Sequence, residues 1–340
     1  MCQLSLKAIE NRHEFEIYIA CYNTNPNGDP DMGNLPRTIA DTNIGIITPA
    51  AFKRRVRDYI HMFYNHEPGM GIIIQPGTNL NRFAAEVKEL AGVKLQDKTV
   101  LAVNKARLKA CELYWDARTF GAVLAAGPNS GQIRGPVQIE MIQSVDPVEP
   151  TDIGITRVCK SDGDDKFKTA EQYRQHEAAT DVSKLRTMGR KQFIPFGIYC
   201  VKGSISARLA AETGFDEKDL TYLFEAIVNM FDATRSDSKT GIYPVSPLII
   251  FKHVGDPSKP TDEQRNSAIL GRAPAHKLYE TVTCVKKAGI ETPTNHHEYD
   301  CCIDLSHMPN GIEVGFLQPY SDSGVVWGHL PADCDWLTTK

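Results

Sequence analysis

The side chains best suited to chemistry in this sequence are cations and amides carried on loops. Gly127, Gly131 and Gly135 fall within ten residues of one another, together with Pro128 and Pro136. Such a run is excluded from a helix interior. It can bring bare backbone N–H groups close to an anion, because glycine has no Cβ to block the approach. Arg118, Gln132 and Arg134 flank it, and all three can donate to phosphate or sugar oxygens. A second cationic group is Lys53, Arg54, Arg55 and Arg57, and a third is Lys184, Arg186, Arg190 and Lys191. Acidic residues gather elsewhere: Asp162, Asp164 and Asp165; Asp216, Glu217 and Asp219; Asp333 and Asp335. Local patches of this kind bind ligands whatever the total charge, here −4.

Catalytic signatures are missing. The glycine run carries no Gly-Lys-Ser/Thr, Gly69-Met-Gly71 has no third glycine, and there is neither a Gly-x-Ser-x-Gly elbow nor a His-Glu-x-x-His pair. His296, His297, Glu298, Asp300, Cys301, Cys302 and His307 are metal-ligand types. Neighbours on a strand point to opposite faces, however, so the expectation is a solvated strand end and no metal site. The nine cysteines are irregularly spaced without a Cys-x-x-Cys pair, which reads as reduced thiols with no disulfide framework. No cofactor is expected. The aromatic signature of an ordinary RNA-recognition domain is also absent, so RNA binding would depend on loops and backbone contacts.

These groups need elements to position them. Residues 13–22 alternate, with Phe15, Ile17, Ile19 and Cys21 facing one way and Glu14, Glu16, Tyr18 and Ala20 the other, which predicts a first strand. A polar loop with an Asn-Gly turn signal follows. Thr48-Pro49 predicts a helix start, and the helix should run to about Tyr64. Phe52, Val56, Tyr59, Ile60 and Phe63 then share one face; Lys53, Arg54 and Arg57 share the other, with Arg55 near the border. Residues 65–115 read as an insertion with a short helix over Phe83, Val87 and Leu90, and a second over 99–115 carrying Lys105, Arg107 and Lys109. Val137, Ile139 and Met141 predict a second strand. The weakly apolar stretch after Pro147 predicts a hairpin, one arm near Thr156-Arg157-Val158 and the other near Met188-Gly189-Arg190. A third strand is expected over 193–207, and a second helix from Asp216 with Leu220, Leu223, Phe224, Ile227 and Phe231 inward. A loop with Arg235, Ser236 and Lys239 leads to a fourth strand over 245–254. Strand, helix, strand, strand, helix, strand is the ferredoxin-like order. Further strands are expected over 278–285, 299–305 and 312–316.

With 340 residues, 41% hydrophobic and 24% charged, the composition is that of a soluble globular chain. No apolar run reaches the ~20 residues a membrane span needs. The N-terminal stretch is polar and does not read as a signal peptide, so the expected location is cytoplasmic.

Four motifs then carry a resemblance. Asn25-Pro-Asn-Gly-Asp-Pro-Asp-Met-Gly-Asn-Leu-Pro-Arg37, Trp115-Asp-Ala-Arg-Thr-Phe-Gly-Ala-Val123, Gly131-Gln-Ile-Arg-Gly-Pro-Val-Gln138 and Ser144-Val-Asp-Pro-Val148 occur in that order. Together they resemble the backbone subunit of the type I-C CRISPR Cascade, a member of the RAMP superfamily, over residues 11 to about 254. The resemblance implies one elaborated α+β domain. Its ferredoxin-like (RRM-like) palm would cover 11–64, 116–149 and 193–254, a helical finger insertion 65–115, a β-hairpin thumb 150–192, and a C-terminal extension 255–340. It implies a non-catalytic scaffold that polymerises head to tail along crRNA, holds the spacer for pairing with the target DNA strand, and supports antiviral interference. Further partners would be other type I-C Cascade subunits: the RAMP cap subunit, the large subunit and the small subunit. Carried over by position, Asn27, Arg37, Lys53, Arg54, Arg57, Arg118, Gln132 and Arg134 would hold the guide, Arg157, Met188 and Arg190 would belong to the thumb, and Arg235 would add a further contact. Two stretches depart from the pattern: Ile44-Gly-Ile-Ile-Thr-Pro49, and the Cys301-Cys302 region. The alternative is a RAMP endoribonuclease processing pre-crRNA, for which His13, His61 and His66 are the available acid–base groups.

Overall fold

The computed structural model describes residues 8–160 and 167–340. Residues 1–7 of the polar N-terminal stretch, and Asp162, Asp164 and Asp165 of the acidic groups, lie outside the described residues.

Strand β1 (His13–Thr24) forms as its alternation predicts and runs two residues further. The loop after it closes on a short ladder of β2 (Gly28–Asp29) with β3 (Leu35–Pro36). The departing stretch becomes strand β4 (Ile44–Ile47). Helix α1 (Pro49–Tyr64) starts on the expected cap, where Thr48 Oγ1 accepts the Ala51 N–H at 3.2 Å. Helices α2 (Leu80–Leu90) and α3 (Val100–Leu113) form the insertion, followed by the short α4 (Trp115–Phe120). Strands β5 (Gly121–Leu124) and β6 (Gly131–Arg134) pair as a hairpin. Then come β7 (Val137–Ile139), β8 (Ile142–Pro147), β9 (Thr151–Arg157) and α5 (Ala170–Ala179). The 19-residue β10 (Thr187–Ile205) leads to α6 (Ala207–Thr213) and α7 (Glu217–Ala233). Strands β11 (Ile242–Pro244) and β12 (Leu248–His253) precede α8 (Thr261–Leu270) and α9 (Ala275–Tyr279). The chain ends with β13 (Val282–Lys286), β14 (Tyr299–Ile303), β15 (Ile312–Leu317), β16 (Val326–Trp327) and β17 (Leu337–Thr339).

Several expectations are corrected. The predicted second strand stops at Ile139; Met141 is exposed where the chain jogs into β8. The third strand begins at Thr187, not 193, because the hairpin arm and the central strand are one continuous element. The fourth strand, β12, begins at Leu248 rather than 245, and the short β11 precedes the predicted range. Between them the Ser246 hydroxyl, in place of a ladder carbonyl, accepts the Tyr18 N–H at 2.9 Å. Leu278 lies in α9, and Phe63 at the end of α1 is half exposed. Helices α5, α6 and α8 were not foreseen. Cys284 and Cys301 face each other on β13 and β14 and are joined in a disulfide, against the expectation of reduced thiols. Strand pairing brought them together, and spacing in the chain carries no record of it.

The main sheet runs β16-β15-β12-β1-β10-β8-β4, with β11 on β1 and β7 on β10. Its central strands are antiparallel: β1 pairs β10 from His13↔Ile205 to Thr24↔Ile194, and β12 from His13↔Lys252 to Glu16↔Ile249. Helices α1 and α7 cover one face, burying Phe52, Val56, Ile60, Leu223, Ile227 and Phe231 against Phe15, Ile17 and Ile19. Both faces of β1 are buried. The β13-β14-β17 sheet and α9 bring Leu278, Tyr279, Tyr299, Ile303, Trp336 and Leu337 onto Tyr18, Ala20, Ile249 and Phe251. Glu14 and Glu16 are consequently enclosed. Glu14 meets His253 and Arg12, whereas Glu16 accepts from the Tyr18 hydroxyl at 2.7 Å, and burial pushes its carboxyl above the usual range.

Trp336 anchors this second layer, packing on Tyr18 and donating its indole N–H to the His296 carbonyl at 2.8 Å. Trp336→Ala is expected to destabilise the protein by about 3–5 kcal/mol in urea unfolding. A change under about 0.5 kcal/mol would mean that the layer does not hold the sheet face.

Candidate nucleic-acid interface

The segment Trp115–Gly135 divides its side chains between interior and surface. All six residues of α4 are buried. Asp116 Oδ1 accepts the Ile73 N–H at 2.8 Å and its Oδ2 accepts from Arg57 Nε at 2.8 Å. Arg118 forms a two-point ion pair with Asp219, 2.7 Å on each arm, and also donates to the Cys111 carbonyl at 2.6 Å. It is 6% exposed. Arg118 is therefore an internal tie between α4 and α7, which corrects the expectation that it contacts a ligand. The glycine run supplies the connecting turn of the β5–β6 hairpin, with Gly127 and Pro128, and its second strand, Gly131–Arg134. It closes tightly: a Cβ on Gly135 would lie 2.3 Å from the Gly121 nitrogen.

On β6 the alternation turns Ile133 inward and leaves Gln132 and Arg134 exposed. Helix α3 packs so close that a Cβ on Gly131 would meet Val103 at 2.9 Å. A groove results between α3, β6 and α6, lined by Asn104, Arg107, Gln132 and Arg134, with Glu212 on its far wall. Among the described residues Arg107 and Arg134 have no carboxylate within 4 Å, so both guanidinia are open to an anionic ligand. Sequence reasoning noted Arg107 on its helix without selecting it. Asn104 and Arg107 stand one turn apart, and only the packing of α3 on Gly131 brings them to the hairpin.

The basic face of α1 is less free than its spacing suggested. Arg54 holds Asp58 and donates to the Ile74 carbonyl at 3.0 Å. Arg57 is committed to Asp116, with its guanidinium 5.1 Å from the centre of the Phe120 ring. Lys53 lies over the same ring at 5.1 Å, and burial, with Arg57 beside it, lowers its pKa. Asn27 Oδ1 accepts the Thr48 N–H at 2.9 Å, so this side chain fastens its loop to the start of α1. Arg37 pairs with Asp29 at 3.0 Å. Arg235, next to the end of α7, pairs with Asp232 at 2.5 Å.

Strand β9 and the first part of β10 make an exposed two-stranded arm in the register Thr187↔Arg157 to Phe193↔Thr151. Both predicted arms fall where expected. Arg190 pairs with Asp152 at 2.8 Å, and Arg157 Nε donates to the Cys159 carbonyl at 2.8 Å. Met188 is 74% exposed on one face of the arm, with Thr156 and Arg190, and Ile153 and Ile155 are exposed on the other face. Bulky apolar side chains in solvent next to arginines are suited to wedging between stacked bases.

The ligand-like cluster disperses. His296 Nδ1 meets the Tyr22 hydroxyl at 2.7 Å, Cys301 is in the disulfide, and His307 pairs with Asp304. Of the acid–base candidates, His61 and His66 are exposed. His13 is enclosed in the core, and burial, reinforced by Lys252 and His253, pushes its pKa down to about 3.

The covered antiparallel sheet, the open cationic groove and the exposed arm define a mixed helix-and-sheet protein whose ligand-facing groups lie on its insertions. A family model described as "CRISPR-associated protein Cas7" matches residues 11–304, and the chain belongs to that family. Among solved structures, a chain of a "CRISPR RNA-guided surveillance complex, pre-nicking" aligns at 13% identity over 78% of this chain and 84% of the other, with TM-score 0.42. A chain of a "CRISPR RNA-guided surveillance complex" aligns at 13% identity over 79% and 80%, with TM-score 0.40. No curated protein matches.

Two outcomes follow from this geometry. Arg118→Met, which strands Asp219 in the interior, is expected to cost about 3–5 kcal/mol in urea unfolding, while Arg134→Ala changes stability by less than about 0.5 kcal/mol. Equal effects would remove the distinction between tie and free cation. His13 is neutral in the fold and gains its proton only on unfolding. Its contribution is therefore present above pH 6.5 and lost as pH falls toward 3, at up to about 1.4 kcal/mol per pH unit. His13→Asn should flatten the acid limb of a stability–pH curve, and an unchanged slope would contradict the enclosed, neutral state.

Proposed function

We propose that this chain is a backbone subunit of a CRISPR Cascade of type I-C, a non-catalytic protein that polymerises along crRNA. The observation that carries the reading is family membership over residues 11–304. In this reading the strand order β12-β1-β10-β8 with α1 and α7 on one face is the ferredoxin-like palm, which that order supports. Helices α2 and α3 are the fingers, and the β9–β10 arm is the thumb. The burial of both faces of β1 supports binding by loops rather than by bases stacked across the sheet. Gln132, Arg134 and Arg107 hold the guide backbone, which leaves base edges free to pair with the target DNA strand. Lys53 contributes at the rim while Arg57 stays tied to Asp116, and Met188 on the thumb enters the duplex between flanking arginines. Copies stack head to tail, a heterologous contact that generates a filament. The cap, large and small subunits complete the assembly in the cytoplasm, without a cofactor.

The test is to express the chain with a matching guide array, purify it through a salt wash and sequence the retained RNA. Guide RNA of uniform length in a large nuclease-resistant particle is expected, with Arg134→Ala reducing the retained RNA. Rapid cutting of that RNA by the pure protein, abolished by substitution of His61 or His66, would replace the scaffold with the endoribonuclease.

A further inference from the structure

Arg55 does not share the exposed face of α1. It turns into the junction between α1, the end of α7 and residues 235–240, where it is 7% exposed. Among the described residues its one side-chain hydrogen-bond partner is neutral: Nη1 donates to Thr234 Oγ1 at 3.0 Å. Nη2 is buried and donates to nothing among the described residues. Asp58, the nearby carboxylate, is held by Arg54 through both oxygens. The Phe231 ring, 5.3 Å from the guanidinium, and the carbonyl end of α7 offset part of the charge. Neither supplies an acceptor for Nη2.

A second cation sharpens the imbalance. Lys239 is half-buried; burial first, and the charge of Arg55 next, lower its pKa, while Asp58 acts to raise it. The loop that carries Lys239 is held from two sides. Thr24 Oγ1 and the Asn25 N–H both donate to the Ser238 carbonyl at 2.8 Å, and Lys191 Nζ holds Asp237 at 3.0 Å. Three cations thus stand around one carboxylate, with a buried donor unfilled. An unpaired guanidinium enclosed in this way is unfavourable unless an anion joins it.

We propose that Arg55 and Lys239 form a binding site for one phosphate group, separate from the exposed face of α1. Guanidinium and ammonium together match a phosphate in charge and in donor geometry. The site deepens the RNA reading by one backbone contact, and it rests on that reading only for the source of the phosphate.

The test has two arms, both on the full chain. Thermal unfolding in inorganic phosphate is compared with chloride at equal ionic strength for the wild type, Lys239→Met and Arg55→Lys. Phosphate is expected to raise the wild-type midpoint to a plateau. Lys239→Met should remove that rise, and Arg55→Lys should retain part of it while keeping the protein folded. In the second arm, binding of a single-stranded RNA of unrelated sequence is followed against salt. Lys239→Met should reduce the slope of log K against log salt by about 0.7 if the phosphate belongs to RNA. A response to inorganic phosphate with an unchanged RNA slope assigns the site to free phosphate. A wild type that binds phosphate but no RNA keeps the site and removes the RNA reading. If neither arm distinguishes Lys239→Met from the wild type, the proposal is overturned.

Discussion

Two opposite charges enter the interior on one short helix. Asp116 and Arg118 are two residues apart on α4, and each is met by a partner from a different helix: Arg57 of α1 and Asp219 of α7. Asp116 also accepts backbone N–H groups from Ile73 and Ile74, and Arg118 accommodates the carbonyls of Gly69 and Cys111. These bonds join the insertion to the helical layer. Removing one partner would leave a buried charge, so the arrangement holds as a unit. The position of α3 against the β5–β6 hairpin, and hence the groove with Arg107 and Arg134, depends on it.

The second constraint is the enclosure of the central sheet. Helices take one face, and the C-terminal strands with α9 take the other. A sheet closed on both sides has no open face for ligands, so recognition moves to what projects from it. The β5–β6 hairpin and the β9–β10 arm are the main projections. That β10 is one strand of 19 residues gives the arm a stiff base, since its inner half is the neighbour of β1 along most of their length.

The basic helix face illustrates how far spacing carries. Periodicity correctly separated Phe52, Val56 and Ile60 from Lys53, Arg54 and Arg57, because 100° per residue is a property of any helix. It had no means of telling that Arg57 would meet Asp116, 59 residues away, or that Arg118 would meet Asp219 at a separation of 101. Arg55, on the border, became the buried cation. Charged residues near one another in sequence are candidates for a ligand only until their remote partners are known.

By itself the sequence determined the first strand, the Thr48 cap and helix α1, the inward residues of α7, both arms of the exposed hairpin, and the order of the main elements. All of these follow from local periodicity and turn chemistry, which act within a few residues. Only the tertiary structure decided that β1 is enclosed on both faces, that the glycine run forms part of a hairpin, that Arg118 is a structural tie, that Cys284 and Cys301 join, and that Arg107 shares a groove with Arg134. Each of these depends on contacts between residues far apart in the chain. Such contacts are selected by the packing of whole layers, and no local pattern encodes them.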